Sequence, residues 1–171
     1  ISTAGGVTTV INGGTFEGNG AGAVISYGET VINGGTFDGA YGVVSKKTSS
    51  GETGSIVFPA DSTAVINASK IAFVAQGDAA SAGKVSAAGG TFNAPAVLGT
   101  IGTGVDKTSA ANVTGGIYAA DPSAYVPDNN ASISYTHENS TVYAVGKSSI
   151  DEVAQQAQAG DTITVLSGDV A

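Results

Sequence analysis

The sequence predicts an all-β fold, a right-handed single-stranded parallel β-helix in which each turn of the chain stacks on the one before it. A seven-residue phrase at positions 10–16, Val-Ile-Asn-Gly-Gly-Thr-Phe, recurs unchanged at 31–37, a spacing of 21 residues. That period is shorter than those of helical-pair repeats and suits one turn of a three-sided β-helix. Glycine supplies 26 of the 171 residues, a composition in which short strands and turns dominate. A β-sandwich is the alternative architecture.

The coils of this solenoid are expected to occupy residues 1–120. β-Branched residues favour strands at 23–26 and 42–45, which stack in register nineteen residues apart. The Asn-Gly-Gly corners supply the positive-φ backbone that other residues resist. The polar stretch 46–54 is interpreted as a loop inserted at a corner. Weaker copies of the phrase are predicted at 65–67, 89–93 and 115–118.

Repeated side chains are expected to form columns, because equivalent residues on hydrogen-bonded strands lie about 4.8 Å apart. One column is aromatic and internal, and the other consists of amides that satisfy one another and the corner backbone. The predicted aromatic column is Phe16, Phe37 and Phe92 with Tyr118 at its end, and the predicted amide column is Asn12, Asn33 and Asn67.

The chain after residue 120 has a different pattern. Residues 121–147 are expected to form a turn-rich bridge and a β-hairpin that caps the open end of the solenoid. Alternating residues predict the hairpin strands at 131–135 and 141–145. Residues 148–171 are expected to form a short helix and a strand, either as a second cap or as the start of a following block.

The predicted C-terminal helix has identifiable start and stop signals. Ser148 or Ser149 is expected to cap its N-terminus, and Gly160 is expected to end it before a strand at 162–166. The side chains predicted to share its apolar side are Ile150, Val153, Ala154 and Ala157.

Several of these motifs resemble known families. The Gly-Gly-Thr-Phe coils, the Gly-Gly-Ile-Tyr-Ala-Ala-Asp-Pro-Ser-Ala-Tyr-Val bridge at 115–126 and the Thr-Val-Tyr-Ala-Val strand at 141–145 resemble repeat blocks of adhesin-like surface proteins from Gram-positive gut bacteria. Ser-Ile-Asp-Glu-Val-Ala at 149–154, followed by Ala-Gly-Asp-Thr-Ile-Thr-Val at 159–165, is similar to the helix and strand that begin pectate-lyase-like β-helices. The resemblance implies a secreted β-helix with adhesive or carbohydrate-directed relatives, and it carries over no catalytic residue.

Composition narrows the function classes. The net charge of −8 repels a phosphate backbone, so nucleic acid is not an expected partner, and no apolar run approaches the roughly 20 residues of a membrane-spanning helix. The sequence contains no Cys, Met, Trp or Arg, which excludes disulfides and thiolate metal sites. We expect an extracellular or cell-surface segment of a larger secreted bacterial protein, with any signal peptide or anchor outside this sequence.

Few residues predict a chemical site, and none is assigned a catalytic role, because no close pair of Asp residues accompanies a basic group. Glu17 and Asp38 follow the repeated Phe, so stacking would place their carboxylates together, where bound Ca²⁺ would relieve their repulsion. No other cofactor is expected. Tyr27 and Tyr41, near corners of neighbouring coils, are the candidate ligand-binding aromatics. The single histidine, His137, is expected to be a solvated turn residue.

These observations favour a non-catalytic extracellular binding or adhesion module that recognises a glycan or protein on a host or microbial surface. A purely structural stalk or spacer is the principal alternative. A polysaccharide-active β-helix enzyme is a further reading, as is an ice-binding protein, since Thr15, Thr36 and Thr91 would stack as a short hydroxyl array.

Overall fold

The computed structural model describes residues 1–168, which form a parallel β-helix of about four turns followed by an antiparallel cap. The predicted all-β parallel β-helix is therefore confirmed. Residues 169–171, the end of the predicted 148–171 segment, lie outside the described residues.

Twelve strands build the coils. In chain order they are β1 (Ser2–Thr3), β2 (Thr8–Ile11), β3 (Thr15–Ser26), β4 (Glu29–Ile32), β5 (Thr36–Lys46), β6 (Ser55–Phe58), β7 (Val65–Gln76), β8 (Lys84–Ala87), β9 (Thr91–Asn93), β10 (Leu98–Ile101), β11 (Ala111–Val113) and β12 (Gly116–Tyr118). A short sheet contains β2, β4, β6, β8 and β11 in parallel, and the other strands form the long sheet. Each coil contributes to both sheets, so the two sheets enclose one core.

The long strands β3, β5 and β7 are irregular at one point in their pairing, where a bulge bends the strand. The register between β3 and β5 shifts between Gly18 and Gly22, and the register between β5 and β7 shifts between Gly39 and Tyr41. Beyond the bend, Val24 pairs with Val43, which confirms the predicted stacking of 23–26 on 42–45.

The aromatic column is confirmed at its two ends and interrupted in the middle. Phe16 stacks on Phe37 with ring centroids 4.9 Å apart, and Phe92 stacks on Tyr118 at 4.7 Å. The register places Ile66 between Phe37 and Phe92, so the predicted direct contact between these two rings is wrong. An isoleucine fills the same interior position with aliphatic volume, so the core stays continuous without an aromatic ring.

The amide column is shorter than predicted. Asn33 donates a hydrogen bond from Nδ2 to Asn12 Oδ1 at 2.7 Å, as expected. Asn67 instead lies in register with Asp38, and the strand position of Val31 is taken on the next coil by Val57. The phrase at 65–67 therefore belongs to the long sheet, because the third coil has a different sequence at the corner before it.

The Gly-Gly corners depend on their second glycine. Gly14, Gly35, Gly90 and Gly116 all have positive φ, between 98° and 114°. A Cβ on Gly35 would lie 2.8 Å from the carbonyl oxygen of Gly14, closer than carbon and oxygen normally approach. The corner therefore requires glycine for its conformation and for the close stacking of one coil on the next.

A cluster of buried hydroxyl groups fills one interior corner of the first coils. Ser26 Oγ donates to Gly28 O at 2.7 Å and lies 2.9 Å from Thr30 Oγ1, while Thr3 Oγ1 contacts both hydroxyls. On the next coil the equivalent residue is Ser45, which is fully buried. Among the described residues, Ser45 Oγ is the buried side-chain polar atom without a hydrogen-bond partner.

The cap continues the long sheet with antiparallel strands. Its elements are a 3-10 helix (Ser123–Tyr125), β13 (Ser132–His137), β14 (Ser140–Val145), α2 (Lys147–Ala154) and β15 (Thr162–Ser167). A further short helix, α1 (Lys107–Ala110), lies between β10 and β11 of the coils. β14 pairs with β12, and β13 lies between β14 and β15. The hairpin strands are longer than the predicted 131–135 and 141–145, because the turn contains only Glu138 and Asn139.

The C-terminal helix differs from its predicted boundaries. It begins after Gly146, and Ser149 Oγ instead accepts a hydrogen bond from Gly116 N. The helix ends at Ala154, so Gly160 forms a turn before β15 rather than the helix stop. Ile150 and Val153 pack in a second core with the hairpin, whereas Ala154 and Ala157 are exposed.

The two glycine positions of the corner should respond differently to alanine. Gly35→Ala is expected to cost more than about 1 kcal/mol of unfolding free energy, because it adds a Cβ at a positive φ against a backbone carbonyl. Gly13→Ala is the matched control, since a Cβ there meets nothing within 4 Å. Urea unfolding of both variants measures the difference, and equal losses would contradict the corner geometry.

The interior serines provide a second comparison. Ser45→Ala is expected to leave stability unchanged or raise it by about 1 kcal/mol, because it removes an unpaired buried hydroxyl. Ser26→Ala is expected to lower stability by about 1 kcal/mol, because it removes the hydrogen bonds that the Ser26 hydroxyl makes with Gly28 O and Thr30 Oγ1. Thermal unfolding monitored by circular dichroism gives both values, and a larger loss at Ser45 would refute this account.

Candidate functional site

An outward column of acids and amides runs across four coils. Glu17, Asp38, Asn67 and Asn93 are aligned in register on β3, β5, β7 and β9. Each follows an inward residue of the aromatic column, so strand alternation turns this set outward. Asn67 Nδ2 donates to Asp38 Oδ1 at 2.9 Å, and Asn93 Nδ2 donates to Asn67 Oδ1 at 2.9 Å. We call these four residues the polar column.

The two carboxylates predicted to bind Ca²⁺ are neighbours in this column. Glu17 pairs with Asp38 across adjacent coils, and Asn67 hydrogen-bonds to the far side of Asp38. Ca²⁺ takes six to eight oxygen ligands. Within residues 1–168, no group of three or more His, Cys, Asp or Glu side chains converges on one point. A Ca²⁺ ion here would depend on water and amide oxygens for most of its coordination, and its binding stays a prediction.

Threonines accompany the polar column two residues earlier on three of its four strands. Thr15 pairs with Thr36, and Thr91 follows after the intervening Val65. The hydrogen-bonded pair Asn12–Asn33 lies at the preceding corner. Together these residues make an outward surface of hydroxyl, amide and carboxylate groups, but Val65 breaks the hydroxyl array on which an ice-binding surface would depend.

The predicted aromatic pair does not form a single patch. Tyr41 is in register with Gly22 near the bend, whereas Tyr27 follows the other end of β3. About 16 Å of strand separates these two levels. A different lysine ammonium group lies over each ring: Lys46 Nζ is 5.3 Å from the Tyr27 centroid, and Lys70 Nζ is 5.8 Å from the Tyr41 centroid. Both tyrosines are half-buried, and their role in ligand binding stays a prediction.

The cap contains a polar cluster around Asp161. Its Oδ2 accepts hydrogen bonds from the Tyr135 hydroxyl at 2.6 Å and from the Gln158 backbone N–H at 2.7 Å, and its Oδ1 lies 2.7 Å from His137 Nδ1. Only 6% of the Asp161 side chain is exposed, against 42% of His137. The hairpin presents Tyr135 and His137 on one face, and the α2–β15 loop brings Asp161 to them.

These contacts change the acidity of two groups. The Tyr135 hydroxyl, the Gln158 N–H and His137 together lower the pKa of Asp161 from 3.8 to about 2. The same hydrogen bond to Asp161 raises the pKa of the Tyr135 phenol above 10. A carboxylate that accepts several donors is favoured in its charged form.

A cleft of about 500 Å³ opens beside this cluster. It is lined by Tyr135, His137, Ser140, Val142, Gln156 and Gln158. His137 and Ser140 occupy paired positions at the end of the hairpin, and the two glutamines come from the loop after α2.

Sequence reasoning missed this cluster because Asp161 lies 24 residues from His137 and follows a helix. Glu138 is the charged residue next to His137 in the sequence, and this neighbour alone indicates a solvated turn. No short motif joins the two positions. The hairpin and the helix were both predicted. Only a model of how they pack against each other would have indicated that His137 and Asp161 meet.

Comparison with protein-family models, with curated proteins and with solved structures gives no significant match to this chain. No helix within residues 1–168 has the length and hydrophobicity needed to cross a membrane.

Asp161 should make the cap sensitive to acid. Because its pKa is lower in the folded protein than the ordinary 3.8, its contribution to stability is present above about pH 4. That contribution is lost as the pH falls from about 4 towards 2, where the folded-state carboxylate gains a proton. Urea unfolding between pH 2 and pH 7 should show this decline in the native chain.

Asp161→Asn is the comparison for this pH dependence. The variant should be less stable at pH 7, and the gap between it and the native chain should narrow between pH 4 and pH 2. Asp61→Asn, an exposed position outside the cap, controls for the general effect of removing one negative charge. A gap that stays constant across this range would rule out the assigned role of Asp161.

Proposed function

We propose that this chain is a non-catalytic extracellular binding or adhesion module, displayed on a bacterial surface, that recognises a glycan through the outer face of its coils. The observation that supports this proposal is the polar column of Glu17, Asp38, Asn67 and Asn93, presented in register on four successive strands. Carboxylates accept hydrogen bonds from sugar hydroxyls, and carboxamides both accept and donate them.

The geometry of the column suits an extended ligand. Parallel pairing fixes the rows about 4.8 Å apart, and threonine hydroxyls stand beside Glu17 and Asp38 on the same strands. The side chains are attached to paired strands, so the backbone needs no ordering when a ligand binds. The net charge of −8 disfavours strongly anionic polymers and favours neutral polysaccharides.

A purely structural spacer is the second candidate, and one observation favours it. The hydrogen bonds Asn93 to Asn67 and Asn67 to Asp38 satisfy part of the column without any ligand, as does the bond from Asn33 to Asn12. Such bonds between coils would also serve a stalk whose task is length and rigidity.

A glycan array followed by calorimetry separates the two functions. The adhesion module should bind one or more neutral glycans, and the double variant Glu17→Gln, Asp38→Asn should weaken that binding at least 10-fold by removing two charged acceptors. The matched control is Glu138→Gln, Glu152→Gln, which removes the same charge from the cap.

Thermal unfolding of both double variants checks that the coils remain intact. If the native chain binds no neutral glycan on the array, or if the two double variants bind with equal affinity, the column is excluded as the binding surface. If the native chain binds neither neutral nor acidic glycans, the spacer is favoured.

A further inference from the structure

We propose that the cleft in the C-terminal cap is a second binding site, for a single neutral sugar residue, in which His137 is a hydrogen-bonding group oriented by Asp161. The inference takes its ligand class from the proposed function, but it uses none of the residues of the polar column. Three features of the cap support this site: the enclosed Asp161 carboxylate, the orientation of the His137 imidazole and the chemistry of the cleft wall.

Asp161 fixes the protonation and direction of the His137 ring. An ionised carboxylate only accepts hydrogen bonds, so the 2.7 Å contact from Oδ1 to His137 Nδ1 requires the proton on Nδ1. In the neutral ring, Nε2 is then left as an acceptor on a side chain that is 42% exposed and lines the cleft. An imidazole oriented in this way is a directed acceptor for a hydroxyl group.

The carboxylate that orients His137 is itself held in place. Tyr135 and the Gln158 backbone donate to its other oxygen at 2.6 and 2.7 Å, so hairpin and loop are joined through one group. The cleft wall is therefore assembled before any ligand arrives, which lowers the entropic cost of binding.

The remaining cleft wall favours a neutral polyhydroxylated ligand. Ser140 contributes a hydroxyl, and Gln156 and Gln158 contribute carboxamides that both donate and accept. Val142 provides apolar surface for the C–H face of a sugar, and Tyr135, which is only 8% exposed, completes the wall. None of the six lining residues is Lys, Asp or Glu, so neither an anionic nor a strongly cationic ligand finds a matched charge in the wall.

The turn beside His137 is a supporting feature. Glu138 has φ of 52°, and among the described residues it is the only one besides glycine with positive φ. A residue held in this region costs about 1 kcal/mol or more. The two-residue turn that it permits places His137 opposite Ser140 at the edge of the cleft.

The single histidine makes this site directly observable by NMR. We expect the imidazole ¹H and ¹⁵N signals of His137 to shift saturably when galactose, glucose or N-acetylglucosamine is added at constant pH, with millimolar affinity for at least one of them. Sodium galacturonate is the anionic comparison and should bind at least 10-fold more weakly than the best neutral sugar.

A glutamine pair supplies the matched variants. Gln158→Ala removes a carboxamide from the cleft but keeps the backbone N–H that Asp161 accepts, and it should weaken the sugar response at least 10-fold. Gln155→Ala alters an exposed glutamine that does not line the cleft, and it should leave the response unchanged. The absence of a saturable shift with every neutral sugar, equal responses in the two variants, or a preference for galacturonate would each overturn the proposal.

The two binding proposals can be refuted independently of each other. Glu17→Gln, Asp38→Asn should retain the His137 response if the cap site exists, whether or not the polar column binds glycans. Conversely, array binding that depends on the polar column and leaves His137 unshifted would support the coil surface and refute the cap site.

Discussion

Parallel, in-register pairing between successive coils is the constraint on which the rest of this structure depends. Once Val10 pairs with Val31 and Phe16 with Phe37, every later position has a fixed neighbour on the next coil. Side chains that repeat in sequence then touch in space, inside as stacked rings and outside as hydrogen-bonded amides. The positive-φ glycines are the local condition for this pairing, since they let the corners lie directly on one another.

The same constraint explains how much the sequence could predict. Two identical phrases were sufficient to indicate the fold, the first two coils and both kinds of column. They were insufficient for the third coil, because its Val-Ile-Asn matches the phrase in letters while pairing with the Thr-Phe-Asp at 36–38. A repeat search aligns residue types, whereas the structure aligns hydrogen bonds, and the two differ when a corner changes length and sequence.

The two polar regions show different limits of prediction. Glu17 and Asp38 were placed together because they lie in copies of one repeat, which is information that the sequence contains. His137 and Asp161 meet through a tertiary contact between a hairpin and the loop after a helix, and neither residue repeats. Predicting that contact would have required the docking angle of α2 on the hairpin, which depends on how Ile150 and Val153 pack against the strands.

One corner of the solenoid accommodates most of the length variation between coils. Only residues 27–28 connect β3 to β4, whereas 47–54 connect β5 to β6 and 77–83 connect β7 to β8. The two longer loops are joined by an ion pair, Lys47 to Asp78, with 2.8 Å between Nζ and Oδ2. Because strand pairing continues on both sides of this corner whatever its length, foreign peptides could be grafted there and carried side by side at a defined spacing. The scaffold thus separates the part of the chain that must keep its period from a part that is free to diversify.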